Sequence, residues 1–90
     1  MKNVTIKGSE ICSMADIHEL LADELSFPDY YGMNLDALHD CLGDICEETG
    51  ITIMESDILL NRLGISYEKL LRVLNDSAEE NDYLYIIEVV

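Results

Sequence analysis

The stretch from Leu25 to Leu42 reads LSFPDYYGMNLDALHDCL and sets the positions of the elements on either side of it. Pro28, the only proline of the chain, stops a preceding helix because proline lacks the N–H group that a helix interior needs. Gly32 permits a positive backbone φ angle, and Asn34 is a residue type that caps helices. The stretch therefore predicts an ordered loop, with one helix ending before it and another beginning after Asn34.

The helix after Asn34 is predicted over residues 35–46 and has two opposite faces. At about 100° per residue its apolar positions form one arc, which contains Leu35, Leu38, Leu42 and Ile45 and is extended by Cys41. The opposite side is an acidic stripe of Asp36, His39, Asp40, Gly43 and Glu47. Asp36 and Asp40 lie one turn apart, and a like-charge pair at that spacing costs roughly a few tenths of a kcal/mol.

Three further helices are predicted from apolar spacing and capping residues. The first, over residues 14–25, has Asp16 near the positive end of its dipole. Ser56 is a candidate cap for a short helix over residues 57–63. Ser66 is a candidate cap for a longer final helix, whose apolar positions are Leu70, Leu71, Val73, Leu74 and Ala78.

Alternating and β-branched runs predict three strands, over residues 1–7, 51–55 and 83–90, the last of them mostly buried. The order of elements is then β, α, α, β, α, α, β, so helices separate every pair of strands and no hairpin is available. Strands connected in this way run parallel, with right-handed crossovers. The predicted fold is a single two-layer α/β domain over residues 1–90, in which about four helices pack on a three-stranded parallel sheet.

Length, charge and cysteine content exclude several classes of protein. The chain has 90 residues, enough for one domain, and a net charge of −14, which repels nucleic acids and anionic membranes and favours a basic partner. Because no apolar run reaches the roughly 18 residues of a membrane span and the first residues lack a signal-peptide pattern, we expect a cytoplasmic protein. Cys12, Cys41 and Cys46 lack CxxC spacing, which predicts reduced thiols and no metal site.

The negative charge is concentrated where no cation accompanies it. From Gly8 to Asn61 the chain has thirteen acidic residues and no Lys or Arg. An acidic helix face is usually just solvated, but here the acidic stripe follows Tyr30 and Tyr31, and tyrosine beside acid is typical of binding surfaces. We expect one of the two tyrosines to pack inward and the other to face solvent. The favoured interpretation is a surface that binds a cationic partner.

A catalytic role for the same region is disfavoured. Two exposed carboxylates have no desolvation to separate their pKa values for acid–base chemistry. His18 and His39 have no Ser or Cys at a spacing that indicates a nucleophile, and the sequence has no Gly-rich phosphate loop and no EF-hand pattern. We therefore expect no enzymatic activity, no cofactor and no metal.

The string P-[acid]-YYG-x-NLDAL-x-D-C, from Pro28 to Cys41, resembles the signature of the barstar family, intracellular inhibitors of small secreted ribonucleases of the barnase type. The resemblance spans the chain, from the first strand at Val4–Gly8 to the carboxy-terminal helix and strand. It implies a three-stranded parallel sheet with packed helices. It also implies that the second helix and the loop before it enter the active site of the nuclease, where carboxylates replace the phosphates of the substrate.

The resemblance further implies which residues contact the partner. Those of the loop and second helix that match the family are Tyr30, Gly32, Asn34, Asp36 and Asp40. Asp40 corresponds to the carboxylate that enters the phosphate pocket. A second patch on the last helix consists of Val73, Asp76 and Glu80, with Asp76 one methylene shorter than the family's glutamate. His39 stands where the family's best-known member has tryptophan, and Asp82 where a family cysteine is expected.

Two other kinds of function stay open. The same fold suits an immunity or interaction protein that binds a basic toxin of a different activity. An acidic carrier protein needs a serine at the start of its recognition helix, where this chain has Asn34 and Asp36, and a nucleic-acid mimic needs acids along an extended surface. The free protein is expected to be a monomer.

Overall fold

The computed structural model describes residues 2–90 and shows three strands and four helices in that range. The strands are β1 (Lys2–Lys7), β2 (Thr49–Met54) and β3 (Leu84–Glu88). The helices are α1 (Met14–Glu24), α2 (Leu35–Gly43), α3 (Ser56–Leu63) and α4 (Ile65–Glu80), and a 3₁₀ turn spans Gly8–Glu10. The predicted α/β architecture is confirmed. Met1, which the prediction included in the first strand, lies outside the described residues.

The sheet is parallel throughout, with β2 between β1 and β3. Because side chains alternate across a strand, Val4, Ile6, Ile51 and Ile53 share one face of the sheet, and all four are buried. Thr5, on the opposite face, is exposed, so the helices cover one face and leave the other open. The helices complete the core with Ile17, Leu21, Leu38, Leu42, Leu59, Tyr67, Leu70 and Leu74.

The junction between α2 and β2 differs from the prediction at both ends. α2 ends at Gly43 instead of residue 46, since the carbonyl groups of Leu42 and Ile45 accept hydrogen bonds from the side chain of Asn81 and the chain leaves the helix there. β2 begins at Thr49 instead of residue 51 because Thr49 already has a partner on both neighbouring strands. Both shifts come from contacts with distant segments.

The predicted caps of the last two helices, Ser56 and Ser66, lie inside those helices. α3 begins directly after Glu55, whose φ of 57° places it in the left-handed region and turns the chain one residue early. Gly64, with φ of 57°, separates α3 from α4, so α4 begins before Ser66. The N–H of Ser56 donates instead to the carbonyl of Val89.

The last strand is shorter than predicted and mostly exposed, which corrects the expectation of a mostly buried strand. Leu84 is buried, but Tyr85 is 44% exposed and Ile87 is 52% exposed. The physical reason is position: β3 lies at the edge of the sheet, and alternate side chains point to the open face.

Arg62 is one of the few cations, and its guanidinium is engaged away from α2. Its Nη1 donates to the carbonyl oxygens of Gly8, Ser9 and Ile11. Gly8 is needed at that turn because a Cβ there would lie 2.5 Å from the carbonyl oxygen of Glu55. This cation therefore holds the turn after β1 and does not neutralise the acids of the second helix.

Candidate binding surface on the second helix and its preceding loop

Asn34 fixes the start of α2, as the sequence predicts. Its Oδ1 accepts a hydrogen bond from the N–H of Ala37 at 2.8 Å, which satisfies one free donor of the first turn. Its Nδ2 donates back to the carbonyl of Gly32 at 3.3 Å. The left-handed residues of the loop are Ser26, with φ of 55°, and Met33, with φ of 51°, and not Gly32. Asn34 is thus occupied within the chain, and Gly32 is exposed beside it.

The two tyrosines of the loop point in different directions, which confirms that expectation. Tyr30 is 85% exposed, whereas Tyr31 is half-buried. The hydroxyl of Tyr31 lies 2.6 Å from Nδ1 of His18 on α1, and its ring meets that of Phe27 edge-on with centroids 4.9 Å apart. These contacts attach the loop to the core and leave Tyr30 free at the surface.

The pKa values of Tyr31 and His18 indicate which protonation state each side chain has. Burial, with a further contribution from the neighbouring Cys41 thiolate, raises the pKa of Tyr31 to about 12, and burial lowers the pKa of His18. At neutral pH the tyrosine is therefore protonated and the histidine neutral. The two side chains therefore share a hydrogen bond between neutral groups.

Two carboxylates of the acidic stripe, Asp36 and Asp40, are at the surface and form no ion pair in the described residues. Asp36 and Asp40 are exposed, while Leu38 and Leu42 on the opposite side of α2 are fully buried. Within residues 2–90 the ion pairs are Lys2–Glu47, at 3.9 Å, and His39–Glu80, so neither Asp36 nor Asp40 belongs to one. Their charges are available to a molecule outside the chain.

Cys41 lies next to these acids, in surroundings that disfavour its thiolate. Burial, followed by the negative charges of Asp44 and Asp40, raises the pKa of its thiol, which keeps it protonated at neutral pH. Cys12, Cys41 and Cys46 are all free thiols, as predicted. In the described part of the chain no group of three or more His, Cys, Asp or Glu side chains is arranged to hold a metal.

The second predicted patch, on α4, meets the first at one point. Nε2 of His39 on α2 lies 2.8 Å from Oε2 of Glu80 on α4, and both side chains are about half exposed. Asp76 is exposed and Val73 is half-buried against the core. The structure therefore connects α2 to α4 at the His39–Glu80 contact. That these residues bind a partner stays a prediction.

Two positioning residues of this region were missed by the sequence analysis. His18 gives a signal in retrospect, because it lies three residues before the core residue Leu21 and so falls on the buried face of α1. Asn81 gives none. Its buried amide donates to the carbonyls of Leu42 and Ile45 at 3.0 and 2.9 Å, which fastens the end of α2 to the end of α4.

Between the loop and the end of α2 lies a half-open groove with a volume of about 360 Å³. Apolar atoms dominate it, with Phe27 and Ile45 on its walls and Lys2, Asp44 and Glu47 at its mouth. It brings together no set of groups with a recognisable chemistry. None of the helices in residues 2–90 is both long and apolar enough to cross a membrane.

Comparison with known proteins gives two findings. The sequence profile of the family described as "Barstar (barnase inhibitor)" matches residues 1–86. A curated protein of Bacillus subtilis (strain 168), named "Putative ribonuclease inhibitor YrdF", is 34% identical over 91 residues, which cover 98% of this chain and 100% of that protein. Both findings span the loop, the acidic stripe and α4.

Proposed function

The chain belongs to the barstar family, and from that premise we propose that it inhibits a small basic ribonuclease by inserting α2 and the preceding loop into the active site of the enzyme. The name of the Bacillus relative supports the same role. The protein then acts by binding alone, without catalysis and without a cofactor. Since the inhibitor has to block the enzyme before its secretion, it works in the cytoplasm.

The uncompensated charge of Asp36 and Asp40 is the observation that carries this proposal. Both carboxylates are exposed on α2, the helix that follows the loop of the exposed Tyr30, and neither has an ion-pair partner in the described residues. An active site that cleaves RNA has to bind phosphate with cations, and a carboxylate offers those cations an anion of similar charge. In this proposal Asp40 occupies the phosphate position.

The energy of such contacts is enough to matter. One opposite-charge pair at 4 Å contributes on the order of 1 kcal/mol in water and about 4 kcal/mol at an effective dielectric constant of 20. Several pairs that converge on one cationic pocket therefore steer the encounter and hold the complex. The exposed Tyr30 adds a rigid aromatic contact next to the charges.

The residues on α4 extend the surface and affect the choice of partner. Val73, Asp76 and Glu80 form the second contact patch in this proposal, and the His39–Glu80 bond links it to α2. His39 stands where the family's best-known member has tryptophan, and its smaller ring is hydrogen-bonded to the carboxylate of Glu80. We infer that the cognate nuclease differs from barnase at the position that faces His39.

The test compares two substitutions that remove the same charge. Asp40→Asn should weaken inhibition of a purified barnase-type ribonuclease by about 10- to 100-fold, because a hydrogen bond between charged groups is worth about 1.5–3 kcal/mol. Asp57→Asn, at an exposed acid of α3 outside the proposed surface, should leave inhibition nearly unchanged. The melting temperature of Asp40→Asn should stay equal or rise slightly, since repulsion from Asp36 is relieved.

If both variants lost the same amount of inhibition, the effect would come from net charge alone, which would contradict the proposed contact. A drop in melting temperature for Asp40→Asn would make that acid structural. If the wild-type protein captures a basic toxin that is not a ribonuclease, and Asp40→Asn abolishes that capture, the surface is correct and the class of partner is the toxin of the alternative hypothesis.

A further inference from the structure

The edge strand β3 presents backbone groups that no other strand in the described chain uses. The carbonyl of Tyr83 accepts from Thr49 of β2, and Val89 donates to Ile53 of the same strand. Because successive residues of a strand direct their N–H and C=O groups to opposite sides, the odd-numbered residues 83–89 face β2. Ile86 and Glu88 therefore direct their backbone groups outward, where the sheet has no further strand.

The side chains along this edge are apolar and exposed. Tyr85 and Ile87 lie on the open face and are 44% and 52% exposed, and Val89 continues the same row at 44%. Beside them an open groove of about 630 Å³ is lined mainly by apolar groups, including Leu84, Ile86 and Ala78 of α4. The edge thus combines free hydrogen-bonding groups with an apolar surface.

The two edge strands of the sheet differ in the residues that protect an edge from pairing. Natural proteins protect edge strands with charged side chains, especially lysine, or with proline. β1, the other edge, begins and ends with Lys2 and Lys7. From Tyr83 to Val90 the sequence has no Lys, Arg, Pro or Gly. Glu88 has the only charged side chain there, and its carboxylate is bound by the hydroxyl of Tyr67.

Charge argues against a cationic protein as the molecule that covers this edge. A cationic partner is attracted to the acidic surfaces of a protein with a net charge of −14, whereas β3 offers it one carboxylate that is already bound. A second β3 strand is uncharged on the same side, carries the same outward backbone groups and matches the edge by symmetry. We propose that β3 pairs with β3 of a second copy of this chain in an antiparallel ladder.

The alternation of backbone groups fixes a register for this ladder. With the two-fold axis at Ile87, the outward groups of Ile86 face those of Glu88 in the second copy, as a hydrogen-bonded antiparallel pair requires. Ile87 then lies opposite its own copy, and Tyr85 lies opposite Val89. The open face of the joined six-stranded sheet has an unbroken apolar row across the junction.

The dimer is expected to be weak and closed. A ladder of two five-residue strands buries less than the roughly 800 Å² per partner of a stable complex, so it forms only at high protein concentration. Because each copy uses the β3 edge and the β1 edge is protected by Lys2 and Lys7, assembly stops at two. The two copies repel each other through their net charge of −14, and salt should strengthen the dimer by screening that repulsion.

The experiment uses two substitutions in one row of the sheet. Thr5 on β1, Thr52 on β2 and Ile87 on β3 are in register, and Thr5 and Ile87 are both exposed on edge strands. Ile87→Lys and Thr5→Lys each add one positive charge to the same open face. Bulk repulsion between copies falls equally in both, so only loss of the β3 pairing separates them.

Sedimentation velocity of the full chain is measured up to about 1 mM protein, at about 0.1 M and about 1 M sodium chloride, where the screening lengths are about 10 and 3 Å. The wild-type and Thr5→Lys proteins should approach twice the monomer mass of 10.2 kDa, more fully at high salt, and Ile87→Lys should stay monomeric. Amide resonances of Ile86 and Glu88 should shift with concentration. Ribonuclease inhibition by Ile87→Lys should be unchanged, since no residue of the proposed inhibitory surface lines the groove.

Three results would overturn the proposal: a wild-type protein that stays monomeric at the highest concentration and salt, a dimer that survives Ile87→Lys, or species larger than two. A monomer whose edge is instead covered by another macromolecule belongs to the first case. Failure of ribonuclease inhibition does not bear on any of these measurements, so the two proposals can fail separately.

Discussion

A single buried histidine holds the loop that carries Tyr30. His18 is 4% exposed on α1, and its Nδ1 is hydrogen-bonded to the hydroxyl of Tyr31, the inward-facing neighbour of Tyr30. The ring of Phe27 closes the other side of Tyr31. The contact spans 13 residues of sequence and connects a helix of the core to a loop at the surface. Any change that weakens it should loosen the loop before it unfolds the sheet.

The pH dependence of stability tests this contact. Because burial lowers the pKa of His18 below its ordinary value of 6.5, the unfolded chain takes up a proton at a higher pH than the folded protein does. The free energy of unfolding should therefore fall as the pH decreases below 6.5 towards the folded pKa, and should not depend on His18 titration above that window. His18→Gln should lose about 1 kcal/mol at neutral pH, through a weakened hydrogen bond, and should show a smaller fall on acidification.

Urea unfolding of the two proteins at several pH values gives the difference directly, because the carboxylates that titrate in both cancel. His39→Gln is the matched control, since His39 is half exposed and its partner Glu80 is at the surface. Its acid-induced fall in stability should stay close to that of the wild type. If His18→Gln kept the full wild-type fall, the buried histidine would not be its cause.

The existence of the helices and strands was more predictable from the sequence than their boundaries were. The existence and order of all the elements follow from hydrophobic period and from the breaks at Gly8, Pro28 and Gly64, because those are local properties. The end of α2 and the start of β2 could not be predicted in this way, because they depend on Asn81 and on pairing with strands far away in sequence. The exposure of β3 also required the strand order, which an apolar run does not contain.

The candidate surface shows the same division. The cap at Asn34, the exposed Asp36 and Asp40 and the opposite orientations of the tyrosines follow from spacing along one helix and one loop. The meeting of α2 with α4 does not, because it is a property of packing between two helices 41 residues apart at His39 and Glu80. Sequence patterns fix faces of single elements, and tertiary contacts decide which faces become one surface.

Asn81 is the strongest test of that junction between helices. It is buried, it donates to two carbonyls at the end of α2, and its Oδ1 accepts from the N–H of Tyr83. Asn81→Ala leaves these groups without their partners, and we expect a loss of about 2–3 kcal/mol in the free energy of unfolding. Asn75→Ala, at an exposed position of α4, should change it by less than about 0.5 kcal/mol.

Amide hydrogen exchange locates the effect of Asn81→Ala. Faster exchange should appear first in the last turn of α2, near Leu42, and the inhibitory surface should loosen with it. A loss spread evenly over the sheet and all helices, or no loss at all, would show that the end of α2 does not depend on this side chain.

The distribution of charge governs the molecule as a whole. Nineteen acidic and five basic side chains share a body with a radius of gyration of 11.9 Å. At about 0.1 M salt the screening length is about 10 Å, so repulsion reaches across most of the molecule, whereas at about 1 M it is about 3 Å. The unfolded chain keeps the same charges farther apart. Repulsion therefore weakens the folded state most at low salt.

Salt should consequently act with opposite signs on stability and on inhibition. Between about 0.1 and about 1 M sodium chloride, the free energy of unfolding in urea should rise by on the order of 1 kcal/mol, since repulsion between exposed like charges is screened. Urea is uncharged and leaves the ionic strength under control, and micromolar protein avoids association through β3. Over the same range the affinity for a basic ribonuclease should fall, because the attraction between inhibitor and enzyme is screened as well.

The double variant Asp36→Asn, Asp40→Asn separates the two effects. It should be more stable than the wild type at low salt and gain less stability from added salt. It should also lose the salt dependence of binding along with the binding itself. A stability that is flat or falls with salt would mean that the acids are compensated within the folded chain, and the surface would then have no free charge to offer a cationic enzyme.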